Sequence, residues 1–162
     1  MNGTITGETI FTVEPNQQQI TMSRVFAAPP ELVWRATTDA EHIPQWWGPR
    51  SLTTRIDQAD VRAGGQWRYV QRDPDGNEYA FHGVYHDVVP PERVVQTFEF
   101  EGVPGHVLLE TTTFDAVDGG TRVTTTSVFQ SIQDRDGMVA SGMESGAREG
   151  YDRLAELLAT MS

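Results

Sequence analysis

The stretch DRDGMVASGMESGAREGYDRLAELLAT, residues 134–160, decides the fold of this chain. It is predicted to form a single amphipathic helix, because at 100° per residue its apolar side chains fall within one arc of roughly 120°. That arc is the face expected to contact the rest of the protein. It contains Val139, Met143, Ala147, Tyr151, Leu154, Leu157, Leu158 and Met161.

Three glycines interrupt this apolar face. Gly146 and Gly150 lie within the arc, and Gly142 lies at its edge. Each glycine inside a helix costs about 1 kcal/mol relative to alanine, so the three together cost roughly 3 kcal/mol. Either another backbone approaches the helix closely here, or the missing side chains leave a pocket. We favour the pocket, because the neighbouring Met143 and Tyr151 are long side chains suited to lining one.

Length and composition indicate one ordinary globular domain and exclude several functions. The chain has 162 residues, of which 38% are hydrophobic, and it has no apolar stretch near the roughly 18 residues that span a membrane. Residues 1–19 lack the basic start and the hydrophobic stretch of a secretory signal, so a cytoplasmic location without membrane insertion is expected. The net charge of −11 argues against nucleic-acid binding. The absence of cysteine excludes disulfides and thiolate metal sites, and the absence of lysine excludes Schiff-base chemistry.

The organisation of the chain changes near residue 20. Residues 1–19 are polar and are expected to form a flexible leader or a loosely added edge strand, and residues 20–162 are expected to form the single domain. A strand with alternating apolar residues runs from Ile20 to Phe26 and ends at Pro29-Pro30. Two short helices, at Glu31 to Thr37 and from Asp39 to Trp46, are predicted next.

Six further strands follow in a regular rhythm, separated by turn sequences such as Asp118-Gly119-Gly120. Short turns favour antiparallel neighbours, so the predicted fold is α+β: a curved antiparallel sheet of about seven strands with the long C-terminal helix across its concave face. The six strands are Ser51 to Asp57, Gly65 to Arg72, Glu78 to Val88, Arg93 to Glu101, Val107 to Asp115 and Thr121 to Gln130.

Strand alternation predicts which side chains face the helix. The predicted concave face is aromatic with scattered polar groups, which together with the helix glycines suggests a cleft with walls. Its residues are Trp67, Tyr69, Phe81, Gly83, Tyr85, Phe98, Phe100, Glu110, Thr112, Phe114, Val123, Thr125, Ser127 and Phe129.

Several short motifs follow one another along residues 20–160. They are Ala28-Pro29, Leu32-Val33-Trp34, Gln45-Trp46-Trp47-Gly48-Pro49, Gly64-Gly65-Gln66-Trp67-Arg68-Tyr69, Asp75-Gly76 with Tyr79, Gly83-Val84-Tyr85, Pro90-Pro91-Glu92-Arg93-Val94-Val95, Thr113-Phe114 and Gly120-Thr121-Arg122-Val123. Their order resembles the helix-grip fold of the START-like (SRPBCC) superfamily. Within it, the sequence is most similar to the branch named after the activator of the 90-kDa heat-shock protein ATPase (AHSA-like).

The titratable residues give little sign of catalytic or metal chemistry. His82 and His86 are predicted on one strand, about 13 Å apart, and cannot share a metal ion there; His42 and His106 are expected at the surface. Glu110 is the exception, because alternation places it on the apolar concave face. There it either forms a buried pair or anchors a ligand, unless a one-residue shift turns it to solvent.

These observations favour binding of a small hydrophobic, lipid-like or polyketide-like molecule between sheet and helix. No cofactor or metal is expected, and a homodimer is left open. The resemblance also implies two alternatives: a cyclase or aromatase-like enzyme using the same pocket, and a co-chaperone, for which the chain lacks room for a separate N-terminal domain. The predicted ligand-binding residues are Trp67, Tyr69, Phe81, Tyr85, Phe98, Phe100, Glu110, Thr112, Phe114, Met143, Gly146 and Tyr151.

Overall fold

The computed structural model describes residues 7–162. Within that range one antiparallel sheet of eight strands, in the spatial order β1-β2-β8-β7-β6-β5-β4-β3, curves around the C-terminal helices. This arrangement confirms the predicted helix-grip fold. The strands are β1 (Ile10–Val13), β2 (Gln19–Phe26), β3 (Thr53–Ala59), β4 (Gln66–Arg72), β5 (Glu78–Val89), β6 (Arg93–Phe100), β7 (Val107–Val117) and β8 (Gly120–Val128).

The seven predicted strands are all present, and the eighth comes from the polar leader. Strand β1 pairs antiparallel with β2 at the sheet edge. It forms because Phe11 and Val13 alternate along the chain and pack against a second small core of Ile20, Leu108 and Phe129. The leader therefore provides an edge strand at residues 10–13, while residues 1–6 lie outside the described range.

Helix α1 (Pro30–Thr38) follows β2 and agrees with the first predicted helix. Proline opens it and Val33 and Ala36 are fully buried. The second predicted helix is wrong in type and length, because only Ile43–Gln45 is helical and it is a 3-10 turn. A longer α-helix from Asp39 is disfavoured by Pro44, which lacks the N–H group needed for the interior hydrogen bonds.

The predicted single C-terminal helix is two helices, α2 (Ile132–Ala140) and α3 (Met143–Leu158). The break is at Gly142, whose φ of 85° is left-handed. That conformation is favourable for glycine alone among common residues and ends the regular helix. Helix α3 lies across the concave face, where the Tyr151 ring meets the Phe26 ring edge to face at 5.3 Å.

The main core lies between α1, α3 and the sheet. Its largest fully buried apolar side chains are Phe26, Val33, Ile43, Trp67, Val123 and Leu154. Among the described helices, none combines the length and apolar character needed to cross a membrane.

Candidate ligand-binding site

Aromatic rings cover one half of the concave face. The Trp67 ring lies 4.7 Å from Tyr69 and 5.8 Å from Phe98. Phe81 in turn lies 5.5 Å from Phe98 and 5.1 Å from Phe100. These centroid distances are those of favourable aromatic pairs, so the rings form one continuous surface.

The loop after the 3-10 turn closes one end of this aromatic surface. The Trp47 ring stands edge to face against Tyr69 at 5.1 Å and against Phe81 at 5.3 Å. Trp46 turns the other way, and its indole N–H donates to the Ala36 carbonyl at 2.8 Å. Trp47 therefore covers this end of the aromatic surface, while Trp46 packs toward α1.

A row of polar side chains crosses the aromatic and apolar face. The strand register places Gln96 opposite Tyr85 on one side and Glu110 on the other, and Glu110 opposite Ser127. Because directly paired residues point to the same side of a sheet, these four side chains form one line beneath the helices. Gln96 and Glu110 remain partly accessible to solvent.

Glu110 is the most unusual group in this row. The Ser127 hydroxyl donates to its Oε2 atom at 3.0 Å. Across residues 7–162, Glu110 forms no ion pair with an arginine or histidine. Burial raises the pKa of the Glu110 carboxyl above its ordinary value, and the Ser127 hydrogen bond opposes that change. The predicted buried ion pair is therefore absent in the described part of the chain, and the carboxylate is not in bulk water.

A second polar line runs parallel to the first. The Thr112 and Thr125 hydroxyls lie 3.1 Å apart, and Thr125 lies 3.4 Å from the Tyr151 hydroxyl. Burial, with a smaller contribution from the Glu110 charge, raises the pKa of Tyr151 to about 12. Tyr151 is therefore a neutral hydroxyl at physiological pH, able to donate or accept a hydrogen bond.

The loop that contains Trp46 and Pro49 occupies the space beside Gly150 and Gly146, so the pocket interpretation favoured from the sequence is wrong at these two positions. A Cβ atom at Gly150 would lie 3.4 Å from the Trp46 carbonyl oxygen and 3.5 Å from the Gly48 amide nitrogen. A Cβ at Gly146 would meet the Pro49 ring at 3.6 Å. Gly150 therefore lets α3 approach the backbone of residues 46–49, the tryptophan loop, which is the alternative interpretation of a close backbone contact. Nothing lies within 4 Å of a Cβ at Gly142.

The predicted site residues divide into two groups by accessibility. Trp67, Tyr69, Tyr85, Phe114 and Tyr151 are at most 6% exposed and belong to the packed core. Trp67 also has a structural hydrogen bond, because its indole N–H donates to the Thr97 carbonyl at 3.1 Å. The residues that keep accessible surface are Phe81, Phe98, Phe100, Glu110, Thr112, Met143 and Gly146.

Three residues of this region were not among the predicted site residues. Gln96 and Ser127 are neighbours of Glu110 in the register, and Trp47 covers Phe81. Alternation from Phe98 places Gln96 on the concave face, so the sequence contains that signal. The position of Trp47 depends on how its loop folds back on the sheet, which no local pattern indicates.

Two open clefts lie away from the concave row. One, of about 550 Å³, is lined by Trp34, Val61, Val88 and Pro90 among others, and the second, of about 520 Å³, lies on the outer surface of α3 around Arg148. Beside the first cleft, Asp39, Glu41 and His42 each offer an atom that could bind a metal ion, and these atoms lie within 4.8 Å of one another.

This trio is a surface cluster, and we assign no ion to it. The Glu41 side chain is 78% exposed. His42, predicted at the surface, is only 19% exposed in its side chain. His106 is at the surface, 56% exposed and 3.0 Å from Asp134.

Comparison with known proteins places the chain in a family. The family model described as activator of Hsp90 ATPase homolog 1-like protein matches residues 27–159. No functionally curated protein is detectably similar in sequence.

Solved structures agree with this match. A Rhodobacter sphaeroides protein is 26% identical with a TM-score of 0.89, over 96% of this chain and 100% of that one. A Mycobacterium smegmatis protein is 26% identical with a TM-score of 0.85, over 93% and 96%. The AHSA1 protein of Silicibacter pomeroyi, 23% identical with a TM-score of 0.75 over 89% and 99%, shares the fold. The chain is therefore a member of the activator of Hsp90 ATPase homolog 1-like family, within the SRPBCC superfamily.

Proposed function

We propose that this protein binds a small, largely apolar molecule between the concave face of the sheet and the N-terminal half of α3. The observation that carries the proposal is the accessible surface that aromatic and polar side chains retain together on this face. Phe98, Glu110 and Met143 are all partly accessible, although they lie beneath or on the helix layer. A concave apolar surface with a few polar groups is the usual composition of a small-molecule site.

The shape of the site follows from the two ends of the face. At one end the tryptophan loop and the packed half of α3 exclude a ligand. At the other end, Met143 packs against the small core of Ile20, Leu108 and Phe129 and supplies a flexible apolar side chain. A ligand would lie along β6 and β7, with rings on one side and the polar row beneath it.

Titration with Nile red, a neutral apolar dye whose emission rises in an apolar site, tests the proposal. We expect saturable binding of one dye per chain. Thr112→Leu should weaken it at least about fivefold, because extra methyl groups on the concave face fill the space that the dye needs. Thr111→Leu is the matched control, since the neighbouring residue points to the convex face. Unsaturable binding, or equal effects of the two substitutions, would contradict the proposal.

The family name raises stimulation of an Hsp90 ATPase as a second candidate function. The concave site makes no use of a protein partner, so under the ligand-binding proposal the rate of ATP hydrolysis by Hsp90 should be unchanged when this protein is added. A saturable increase in that rate would favour the second function. Incubating any ligand found in the dye assay with the protein and analysing the products tests for turnover in the same pocket.

A further inference from the structure

We infer that the concave site selects planar apolar molecules that carry a hydroxyl group, with the Glu110 carboxylate as the acceptor for that hydroxyl. The inference rests on the proposed function and names the class of ligand that the same site would take. It depends on the hydrogen bonds of Glu110, on the absence of an arginine partner and on the rings beside it.

The carboxylate of Glu110 has unused acceptor capacity. An ionised carboxylate can accept about four hydrogen bonds, and in the described chain Glu110 accepts one, from Ser127 at 3.0 Å. Gln96, the partner of Glu110 on β6, forms no side-chain hydrogen bond within residues 7–162 and stays partly accessible. A carboxylate removed from bulk water without a cation is unfavourable, and a donor from a ligand would relieve that cost.

A hydroxyl group fits this environment better than an ammonium group. Burial disfavours charge at Glu110, as its raised pKa indicates. A ligand cation would have to lose its own hydration in the same apolar cleft. The free-energy cost of desolvating a neutral hydroxyl group is much smaller. A hydrogen bond to a charged acceptor still contributes more than one between neutral groups.

The rings beside Glu110 favour a planar body. Phe98 is paired with Leu108, which places it diagonally from Glu110 on the adjacent strand. Such diagonal neighbours are about 7–8 Å apart, which is within the length of a two-ring molecule. A two-ring ligand lying on Phe98 can therefore extend a hydroxyl to the carboxylate.

Two matched compounds test this inference: 2-naphthol, which has the donor, and 2-methoxynaphthalene, which lacks it. Each is titrated into the wild-type protein at pH 7 by calorimetry and by Nile red displacement. We expect 2-naphthol to bind at least about tenfold more tightly. In Glu110→Gln the preference should fall to about threefold or less, because an amide oxygen is a weaker acceptor. In Glu110→Met, which has no strong acceptor, it should vanish, and 2-methoxynaphthalene should bind more tightly than to wild type.

Asp115→Asn is the control for charge, since it removes one carboxylate from the same strand at an exposed position and should leave the preference unchanged. Equal binding of the two compounds to the wild-type protein would overturn the inference and leave the proposed function standing. A preference that persists in both Glu110 variants would overturn the role of Glu110. A protein that takes up neither compound would contradict both proposals. The wild-type comparison decides the question even if a variant does not fold.

Discussion

The two parts of α3 differ in how closely they pack against the rest of the protein. We call residues 143–149 the open half and residues 150–158 the tight half. In the second half Gly150, Tyr151, Leu154 and Leu158 are buried against the sheet and the tryptophan loop. In the first half Met143, Gly146 and Ala147 keep accessible surface. The closest packing is thus found at a glycine, and accessible surface at a methionine. Gly150 thus marks the approach of another backbone, whereas the accessible Gly146 beside Met143 does not.

The tight half is also held by charged hydrogen bonds. Arg153 donates to the Gly48 carbonyl at 2.9 Å, and Arg50 contacts Glu156 on the following turn of the helix. In the open half, Arg148 reaches across to the Thr9 carbonyl at 2.6 Å and lies 2.8 Å from Glu144. The first set fixes α3 to the tryptophan loop, and the second fixes it to the sheet edge.

The largest loss of stability is expected from a substitution at Gly150, in the tight half of α3. Gly150→Leu should lower the free energy of unfolding by about 3 kcal/mol, because a Cβ there already touches the Trp46 carbonyl oxygen at 3.4 Å and the remaining leucine atoms would have to displace the loop. Chemical denaturation measures the change. Gly137→Leu in α2 is the control, since nothing lies within 4 Å of a Cβ there; it should gain up to about 0.8 kcal/mol from helix propensity. Equal stability of the two variants would contradict close packing at Gly150.

A smaller loss of stability is expected when Arg153, which binds the tight half of α3 to the tryptophan loop, is substituted. Arg153→Met keeps much of the side-chain length but leaves the Gly48 carbonyl without its charged donor, and should cost about 1–2 kcal/mol. Arg62→Met serves for comparison, because that arginine is 71% exposed and pairs with Asp60 on the surface. Its substitution should change stability by less than about 0.5 kcal/mol. If both arginines matter equally, the tether does not stabilise the loop.

The smallest effect on stability is expected at Glu110, on β7 beneath the helices, and it depends on pH. The pKa of Glu110 is higher in the folded protein than the ordinary 4.5, so folding is favoured by protonation of this group. The wild type should lose stability relative to Glu110→Gln as pH rises through the unfolded and then the folded pKa, and the difference should be constant above the folded pKa. Each unit of elevation corresponds to about 1.4 kcal/mol. Parallel stability curves from pH 4 to 8 would show that Glu110 is not buried.

The sequence predicts most of the fold but less of the site. Hydrophobic alternation places all seven expected strands, and it also contains β1 in the spacing of Phe11 and Val13, which the polar composition of the leader obscured. The break at Gly142 has the same origin as the misread glycines. A glycine in a helical pattern can be a left-handed terminus, a close contact or a gap, and only the neighbouring chain distinguishes them.

Within the site, alternation places Glu110 and Thr112 on the concave face. It does not show that Trp67 and Tyr69 are covered by neighbouring rings. Tyr69 packs against Trp47, which lies 22 positions earlier in the chain, and Trp67 packs against Tyr69 and Phe98. Accessibility depends on how the sheet, the helices and the loop pack together. The sequence alone therefore does not distinguish the predicted site residues that are buried in the core from those that remain accessible.

Chemical-shift mapping by nuclear magnetic resonance tests directly whether a ligand binds between the sheet and the open half of α3. Wild-type protein labelled with ¹⁵N and ¹³C at its methionine methyl groups is titrated with 2-naphthol. We expect saturable shifts at Phe98, Glu110 and the Met143 methyl group, with little change at Gly150 and Leu154. Shifts confined to the cleft around Trp34 and Val61, or to the outer surface of α3 near Arg148, would contradict a binding site between the sheet and the open half of the helix.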